Sequence, residues 1–367
     1  MDEAQAAKRS PRKRQQLIDV AILYNVDFEE ARTEADPCFE ARATVESVAE
    51  DVAEALVSDG RHTATLIPVE GDFAELRMRL DAAAPACVFN LCESLGSDAR
   101  LETAVPTVLD LMGIPYTGSP PEALSAALYK DRVKRLLVQA GVPTPQGVLM
   151  TRRDDPCDLP LPAIVKPARE DGSAGIWCRS VVWDESSLRE RVAEVIDLFK
   201  APCIVEQYID GRELNVSLLG FPQARVLPLQ EIDFVDLPEG QPHIVTYDAK
   251  WRTGSVDDLG TQPVMHPELP SALAARVRRA ATEACRAVGV RDYGRVDIRI
   301  SAGGVPYVID VNPNCDLSPD AGYVRAAQSV GIDYAALSRL LVRYALRRRK
   351  GVGSAREDRA ASSGEAR

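Results

Sequence analysis

The chain has 367 residues, 46% hydrophobic and 27% charged, which is ordinary for a globular protein long enough to build two or three cored domains. Its net charge of −11 argues against nucleic acid or an anionic membrane as the main partner. No apolar run reaches the length of a membrane span and no secretory apolar stretch precedes the first strand, so a cytoplasmic location is expected. The eight cysteines include no C-x-x-C pair and there are only three histidines, which disfavours zinc, thiol-redox and histidine-driven chemistry.

Residues 1–17 are polar and basic, and 347–367 are rich in Arg, Ser, Gly and Glu; both are expected to be disordered tails. A first domain, 18–118, opens on a buried-type strand at 17–24. It continues with a helix over 38–59, whose Val45, Val48, Val52, Ala55 and Leu56 share a face. A strand at 63–69, a helix at 73–83 and a strand at 86–91 follow. This β-α-β-α-β order predicts a parallel, doubly wound sheet, so the fold class is α/β. A helix at 101–111 ends at Gly113, and the turn-rich segment 114–121 reads as a boundary. A second domain, 119–203, contains a helix at 130–140, a strand at 163–166, a glycine loop, a strand at 176–182 and a helix at 186–200. A third, 204–346, has strands at 204–207, 214–219 and 225–234, a long irregular segment at 236–267, and a helix at 272–288. It closes on two strands around 294–300 and 307–314 and a helix at 334–347. Irregular segments as long as 236–267 tend to be lids over functional sites.

The last strand pair carries the strongest chemical signal. Asp297 lies on one strand, and Asp310 and Asn312 lie two residues apart on the other, so the strand period points the latter two to one face. The Ser301–Gly304 segment between them is a hairpin signal. Hard oxygen ligands beside Arg295 suit Mg²⁺ bound to a polyphosphate. Upstream, the loop from Gly172 through Ser173 to Gly175 has the small residues that let backbone N–H groups approach phosphate, without the lysine of a Walker loop. Glu206, Tyr208 and Glu213 flank a turn where a strand edge and a carboxylate suit adenine and ribose; a plain Asp-Gly turn with solvated glutamates is the alternative. Lys250 lies in the lid segment and suits a phosphoryl group, although a lone loop lysine is more often simply solvated.

Lys130, Lys166, the Gly172–Gly175 loop, Glu206, Glu213, Lys250, Arg295, Asp297, Asp310 and Asn312, in this order and spacing, resemble the ATP-grasp superfamily. Gly113-Ile114-Pro115-Tyr116-Thr117-Gly118-Ser119, Val165-Lys166-Pro167, Gly211-Arg212-Glu213, Tyr247-Asp248-Ala249-Lys250-Trp251 and Gly294-Arg295-Val296-Asp297 resemble its D-alanine–D-alanine ligase type. The resemblance implies a ligase in which two antiparallel sheets clamp ATP behind an N-terminal parallel-sheet domain. It implies Lys130, Lys166 and Ser173 at the phosphates, Glu206 at adenine, Glu213 at ribose, and Lys250 closing over the γ-phosphate. Asp297, Asp310 and Asn312 would hold two Mg²⁺ ions, or Mn²⁺, and Arg295 would steady an anionic intermediate. Carboxylate attack on the γ-phosphate followed by an amine is the implied reaction, with amino acids or small peptides as substrates. Homodimers are common in that family.

The chain departs from the family at its substrate segments, where Leu23-Tyr24-Asn25-Val26-Asp27, Asn90 to Glu93, and Pro313 to Asp320 differ. Asn90, Glu93 and Ser318 are the substrate candidates there, Asn90 being equally a strand-ending turn residue. Two other readings stay open: an ATP-grasp enzyme using an acyl phosphate differently, and an ATP-binding regulator without turnover.

Overall fold

The computed structural model describes residues 17–26, 45–96, 98–220 and 223–348. Residues 1–16 and 349–367 of the expected tails lie outside them, as does the start of the first helix, 38–44; residues 347–348, expected in the disordered tail, instead continue the last helix. The first sheet is parallel, in the order β2-β1-β3, from β1 (Ile18–Asn25), β2 (His62–Val69) and β3 (Cys87–Asn90). Helices α1 (Val45–Val57) and α2 (Phe73–Ala83) connect them as expected. From Val20 to Leu23 β1 is apolar and buried without alternation, because both faces are covered. Val20 and Ile22 join α1 in one core, while Ala21 and Leu23 join Leu76, Leu80, Val105 and Leu109 in another.

The expected helix at 101–111 is split into a 3₁₀ turn at Ala99–Leu101 and α3 (Ala104–Met112), which begins later than expected. The boundary segment is followed at once by α4 (Pro121–Leu128), absent from the sequence reading, and by α5 (Lys130–Gln139). Pro121 opens α4 at a position where its missing N–H costs nothing.

The second sheet runs β4-β7-β5-β6, from β4 (Gly147–Met150), β5 (Ala163–Pro167), β6 (Val181–Val182) and β7 (Cys203–Gln207), backed by α6 (Glu185–Phe199). Two expectations are corrected here. The strand expected over 176–182 is a 3₁₀ turn, Cys178–Ser180, and the short β6. The strand at 204–207, grouped with the later strands, instead lies between β4 and β5, because its apolar face packs with Val165, Val182 and Val192.

The third sheet runs β11-β10-β8-β12-β13, with β9 beside β8. Its strands are β8 (Gly211–Leu219), β9 (Arg225–Val226), β10 (Gln230–Asp233), β11 (Gln262–Met265), β12 (Tyr293–Ser301) and β13 (Pro306–Asn312). The strand expected over 225–234 is broken into β9 and β10 around Pro228. The segment 236–267 is more ordered than expected, holding α7 (Tyr247–Trp251), α8 (Val256–Leu259) and β11. Helix α9 (Ser271–Val288) covers one face of this sheet, with Val133 and Leu137 of α5. The chain then forms α10 (Gly322–Gln328), also unforeseen, and a helix over 334–348. Among the described residues no helix is long and apolar enough to cross a membrane.

Candidate active site

Alternation along β12 sends Val296, Ile298 and Ile300 into the core under α9 and leaves Arg295, Asp297 and Arg299 lining a cavity on the other face. The neighbours are in register: Asp297 lies opposite Asn215 on β8 and Asp310 on β13, and Arg299 opposite Glu213. A bulge on β13 shifts the register from Asp297↔Asp310 to Ile298↔Val308. It lets Val308 stay in the core while Ile309, Asp310 and Asn312 all line the cavity. The expected convergence of Asp297, Asp310 and Asn312 is therefore present, and Asn312 Nδ2 donates to Asp297 Oδ2 at 3.1 Å. Asn215 Nδ2 donates to the other oxygen at 2.9 Å. Arg295 donates twice to Asp297, at 2.7 and 2.9 Å, and this pairing holds the guanidinium firmly charged despite its burial.

Basic residues gather above these carboxylates. Lys130 Nζ sits 2.9 Å from Asp171 and 3.2 Å from Asp310. Burial opposes its charge, but the two carboxylates outweigh that and hold it well above an ordinary lysine. Asp310 is pushed up by burial and pulled further down by Lys130 and Lys166, so it stays ionised. Lys166 Nζ lies 3.0 Å from Glu206 Oε2, and Lys134 Nζ 3.1 Å from Oε1. Glu206 is thus spent on two lysines, and its carboxylate does not stand free for a nucleotide base. Glu213 is likewise paired, at 2.8 Å, with Arg299, and burial raises its carboxyl above the ordinary range. Tyr208 is buried in the same cavity wall, its hydroxyl 3.4 Å from the His243 carbonyl.

The glycine loop and the 236–267 segment are tied together. Ser173, at a positive φ of 62° between Gly172 and Gly175, donates to the Val245 carbonyl at 3.0 Å. Trp251 Nε1 donates to the Gly172 carbonyl at 2.7 Å, and Tyr247 N to the Ile176 carbonyl. Lys250, half-buried, lies 4.9 Å from the Trp251 ring. Burial and the neighbouring Arg295 hold its ammonium below the ordinary lysine value, against Asp316, Glu93 and Asp297.

Two cavities result. One of about 470 Å³ is lined by Lys130, Lys166, Tyr208, Glu213, Asp297 and Asp310. The other, about 550 Å³, is lined by Glu93, Glu102, Asn314 and the apolar Val48, Leu124 and Leu128. They share Gly172, Lys250, Arg295 and Asn312 as a common wall. Glu93 opens onto the second cavity, where surrounding protein and Asp316 push its carboxyl up to about 7, against Lys250. Glu102 accepts from Asn314 Nδ2 at 2.9 Å, and burial raises it well above an ordinary glutamate. The other two substrate candidates lie apart from both cavities. Asn90 is buried at the end of β3, accepting from Cys92 N and donating its own N–H to Thr117, and lines neither cavity. Ser318 lines neither cavity, and its hydroxyl and N–H donate to Asp316.

The donor set fits a divalent ion bound together with a polyphosphate. Among the described residues no three His, Cys, Asp or Glu side chains gather as a self-sufficient metal cage. Two cross-strand aspartates with Asn312 instead suit an ion that completes its shell with phosphate oxygens and water. Lys134, Arg299 and Asn215 were missed from sequence, although each had a signal. Lys134 is one helical turn beyond Lys130, Arg299 continues the alternation of Arg295 and Asp297, and Asn215 is two residues past Glu213. Glu102 and Asn314 had none, since their meeting depends on packing between distant segments.

Residues 141–343 match the family described as D-ala D-ala ligase C-terminus. A D-alanine–D-alanine ligase of Polaromonas naphthalenivorans is 33% identical over 296 residues, 78% of this chain and 84% of that protein. An uncharacterized protein of Sinorhizobium fredii, y4sG, is 36% identical over 72% of this chain and 76% of its own length. The crystal structure of D-alanine–D-alanine ligase from Bacillus anthracis superposes with a TM-score of 0.72 at 22% identity, covering 91% of this chain and 99% of that one. The likeness to that structure concerns the fold.

Proposed function

The chain belongs to the D-alanine–D-alanine ligase family of ATP-dependent C–N ligases, and from that membership we propose that it joins amino acids or small peptides through an acyl phosphate. One observation carries the reading for this chain: the polyphosphate cavity and the second cavity share Gly172, Lys250, Arg295 and Asn312 as a wall. A phosphoryl group at that wall reaches a carboxylate on its far side.

In this reading ATP lies in the first cavity. Lys130 and Lys166 neutralise its phosphates, the Gly172–Gly175 loop with Ser173 covers them, and Glu213 meets the ribose in an orientation set by Arg299. Glu206 acts from behind, fixing Lys134 and Lys166, and Tyr208 packs at the base. Asp297, Asp310 and Asn312 would hold the divalent ion, two Mg²⁺ in the fullest loading or Mn²⁺ in their place. When bound, that metal supplies charge neutralisation on the phosphate oxygens. A substrate carboxylate oxygen attacks the γ-phosphorus and the bond to ADP breaks. The amine of the second substrate then attacks the acyl carbon, phosphate departs, and the amine loses a proton. Lys250 and Arg295 face the charge that develops at both steps. Glu93 and Glu102 suit the ammonium group of a substrate in the second cavity. A cytoplasmic, homodimeric enzyme acting on small molecules is part of the proposal.

The test is ADP, phosphate and amide formation over a panel of D- and L-amino acids and dipeptides, D-alanine included. ATP binding with no amine-dependent turnover on any of them rejects ligation. Asp310→Asn is expected to lower kcat at least about 100-fold while the folded state persists, since Lys130 keeps Asp171. Undiminished turnover in that variant removes Asp310 from the metal and phosphate site.

A further inference from the structure

A groove lies apart from the active site and shares no lining residue with either of its cavities. It holds about 380 Å³ between the chain around β9, the end of β11 and helix α9. The buried Leu227 and Leu229, with Leu269, give it an apolar floor, and Val330, 36% exposed, adds an apolar rim. Its charges are of one sign. Arg225, His266 and Arg278 line it and, among the described residues, no acidic one does, in a chain whose net charge is −11. Both arginines are exposed, and neither has an ion pair or a side-chain hydrogen bond among the described residues. Arg278 lies one helical turn beyond Ala274, so one face of α9 presents both to the groove.

The groove sits at the root of the lid. Pro228 and Leu229 lead into β10, His266 and Pro267 leave β11, and His266 N donates to the Leu229 carbonyl at 3.1 Å. The lid chain with Lys250 and Trp251 runs between these two strands. His266 closes the root with a φ of 56°, a left-handed conformation that a non-glycine residue seldom adopts. A ligand resting on both ends of the hairpin holds that root in one conformation. Guanidinium forks match a planar carboxylate, and the apolar floor rewards an apolar chain over a bare ion. At about 30 Å³ per water-sized unit, the groove takes roughly a dozen such units, enough for an acid of about ten heavy atoms.

We propose that this groove is an effector site for a small apolar carboxylate, held by Arg225 and Arg278, and that its occupation steadies the lid. The site goes beyond the ligation reading and stands whether or not the chain ligates amino acids, because it uses none of the residues assigned to ATP, metal or substrate.

The test titrates octanoate into the full chain by calorimetry, with a non-hydrolysable ATP analogue filling the first cavity, and compares octanamide and inorganic phosphate. Octanoate should bind roughly 10-fold or more tightly than either. Arg225→Met and Arg278→Met, each checked for a cooperative thermal melt, should each weaken octanoate roughly 3- to 10-fold, since both arginines are exposed. Without nucleotide, trypsin cleavage after Arg252, read by mass spectrometry, should slow at least about twofold when octanoate is bound, and in Arg278→Met it should not. Octanamide or phosphate binding as tightly as octanoate, or octanoate binding unchanged in both variants, overturns the site. Cleavage at Arg252 indifferent to bound octanoate overturns the effector role. Self-association that Arg278→Met abolishes, with no octanoate binding, gives the groove to a second copy of the chain and overturns the proposal as well.

Discussion

Two lysines converge on a single carboxylate at Glu206, and that geometry sets a pH dependence. Burial pushes the Glu206 carboxyl up, but Lys134 and Lys166 outweigh it and hold it below the ordinary value. A depressed carboxylate contributes stability above its unfolded pKa of about 4.3, and that stability is lost as pH falls through the folded value. Glu206→Gln should therefore lack this acid-side slope in melts below about pH 4.3. At neutral pH it should be less stable by roughly 3–5 kcal/mol, because two buried lysines lose their counter-charge; a denaturant midpoint unchanged from wild type would contradict the pairing. Glu93 has the opposite sign. Its carboxyl, raised to about 7, favours the folded state at low pH, and that contribution is lost as pH rises from about 4.3 through 7. Glu93→Gln should flatten the pH profile of Tm over that window. The types and positions of the charged residues were legible in the chain, because each sits on a strand or helix period. Their pairing was not, since Lys130 with Asp310, or Lys166 with Glu206, joins groups far apart along the chain.

At the scale of elements, the lid and the strand pair behave differently. The 236–267 segment docks through Trp251 on Gly172 and Ser173 on Val245. Trp251→Phe removes one such bond, worth about 1 kcal/mol, so opening should become roughly fivefold more frequent. Limited trypsin cleavage at Arg252 should speed up accordingly and slow again with an ATP analogue; cleavage indifferent to both would argue against a lid. β8 begins at Gly211, whose φ of 150° and close approach leave a Cβ only 2.0 Å from the Ile300 carbonyl. Gly211→Ala should disrupt the β8–β12 pairing and cost more than about 2 kcal/mol in denaturant titrations. Long, periodic elements such as α6 and α9 were read within a residue or so. The elements missed, among them α4, β4, α7, α8, β11 and α10, were short, and the expected strand at 176–182 lacked partners for most of its length. Short runs carry too little periodicity to decide their state; packing decides it.

Across the whole molecule, the first sheet is fastened to the third by a buried charge. Asp292, 2% exposed and at a positive φ of 66°, accepts from Gly118 N at 3.0 Å and from Arg348. Arg348 also donates to the Tyr116 carbonyl, and Arg291 Nε to the Gly118 carbonyl at 2.9 Å. Burial raises the Asp292 carboxyl, with Arg348 the foremost opposing charge. Arg348→Ala should cost roughly 3–5 kcal/mol at neutral pH and less in acid, where Asp292 is protonated; a Tm equal to wild type at both would rule out this fastening. By itself the sequence determined the α/β class, the parallel first sheet, the strand period that puts Asp310 and Asn312 on one face, and the reaction class, because these depend on local period and on ordered motifs. Tertiary structure alone decided that β7 joins the second sheet, that a bulge turns Asp310 to the site, that Asn90 and Ser318 line neither cavity, and that Asn314 meets Glu102. Each of these depends on which distant segments pack together, and that follows from burying shared apolar faces, which no single segment encodes.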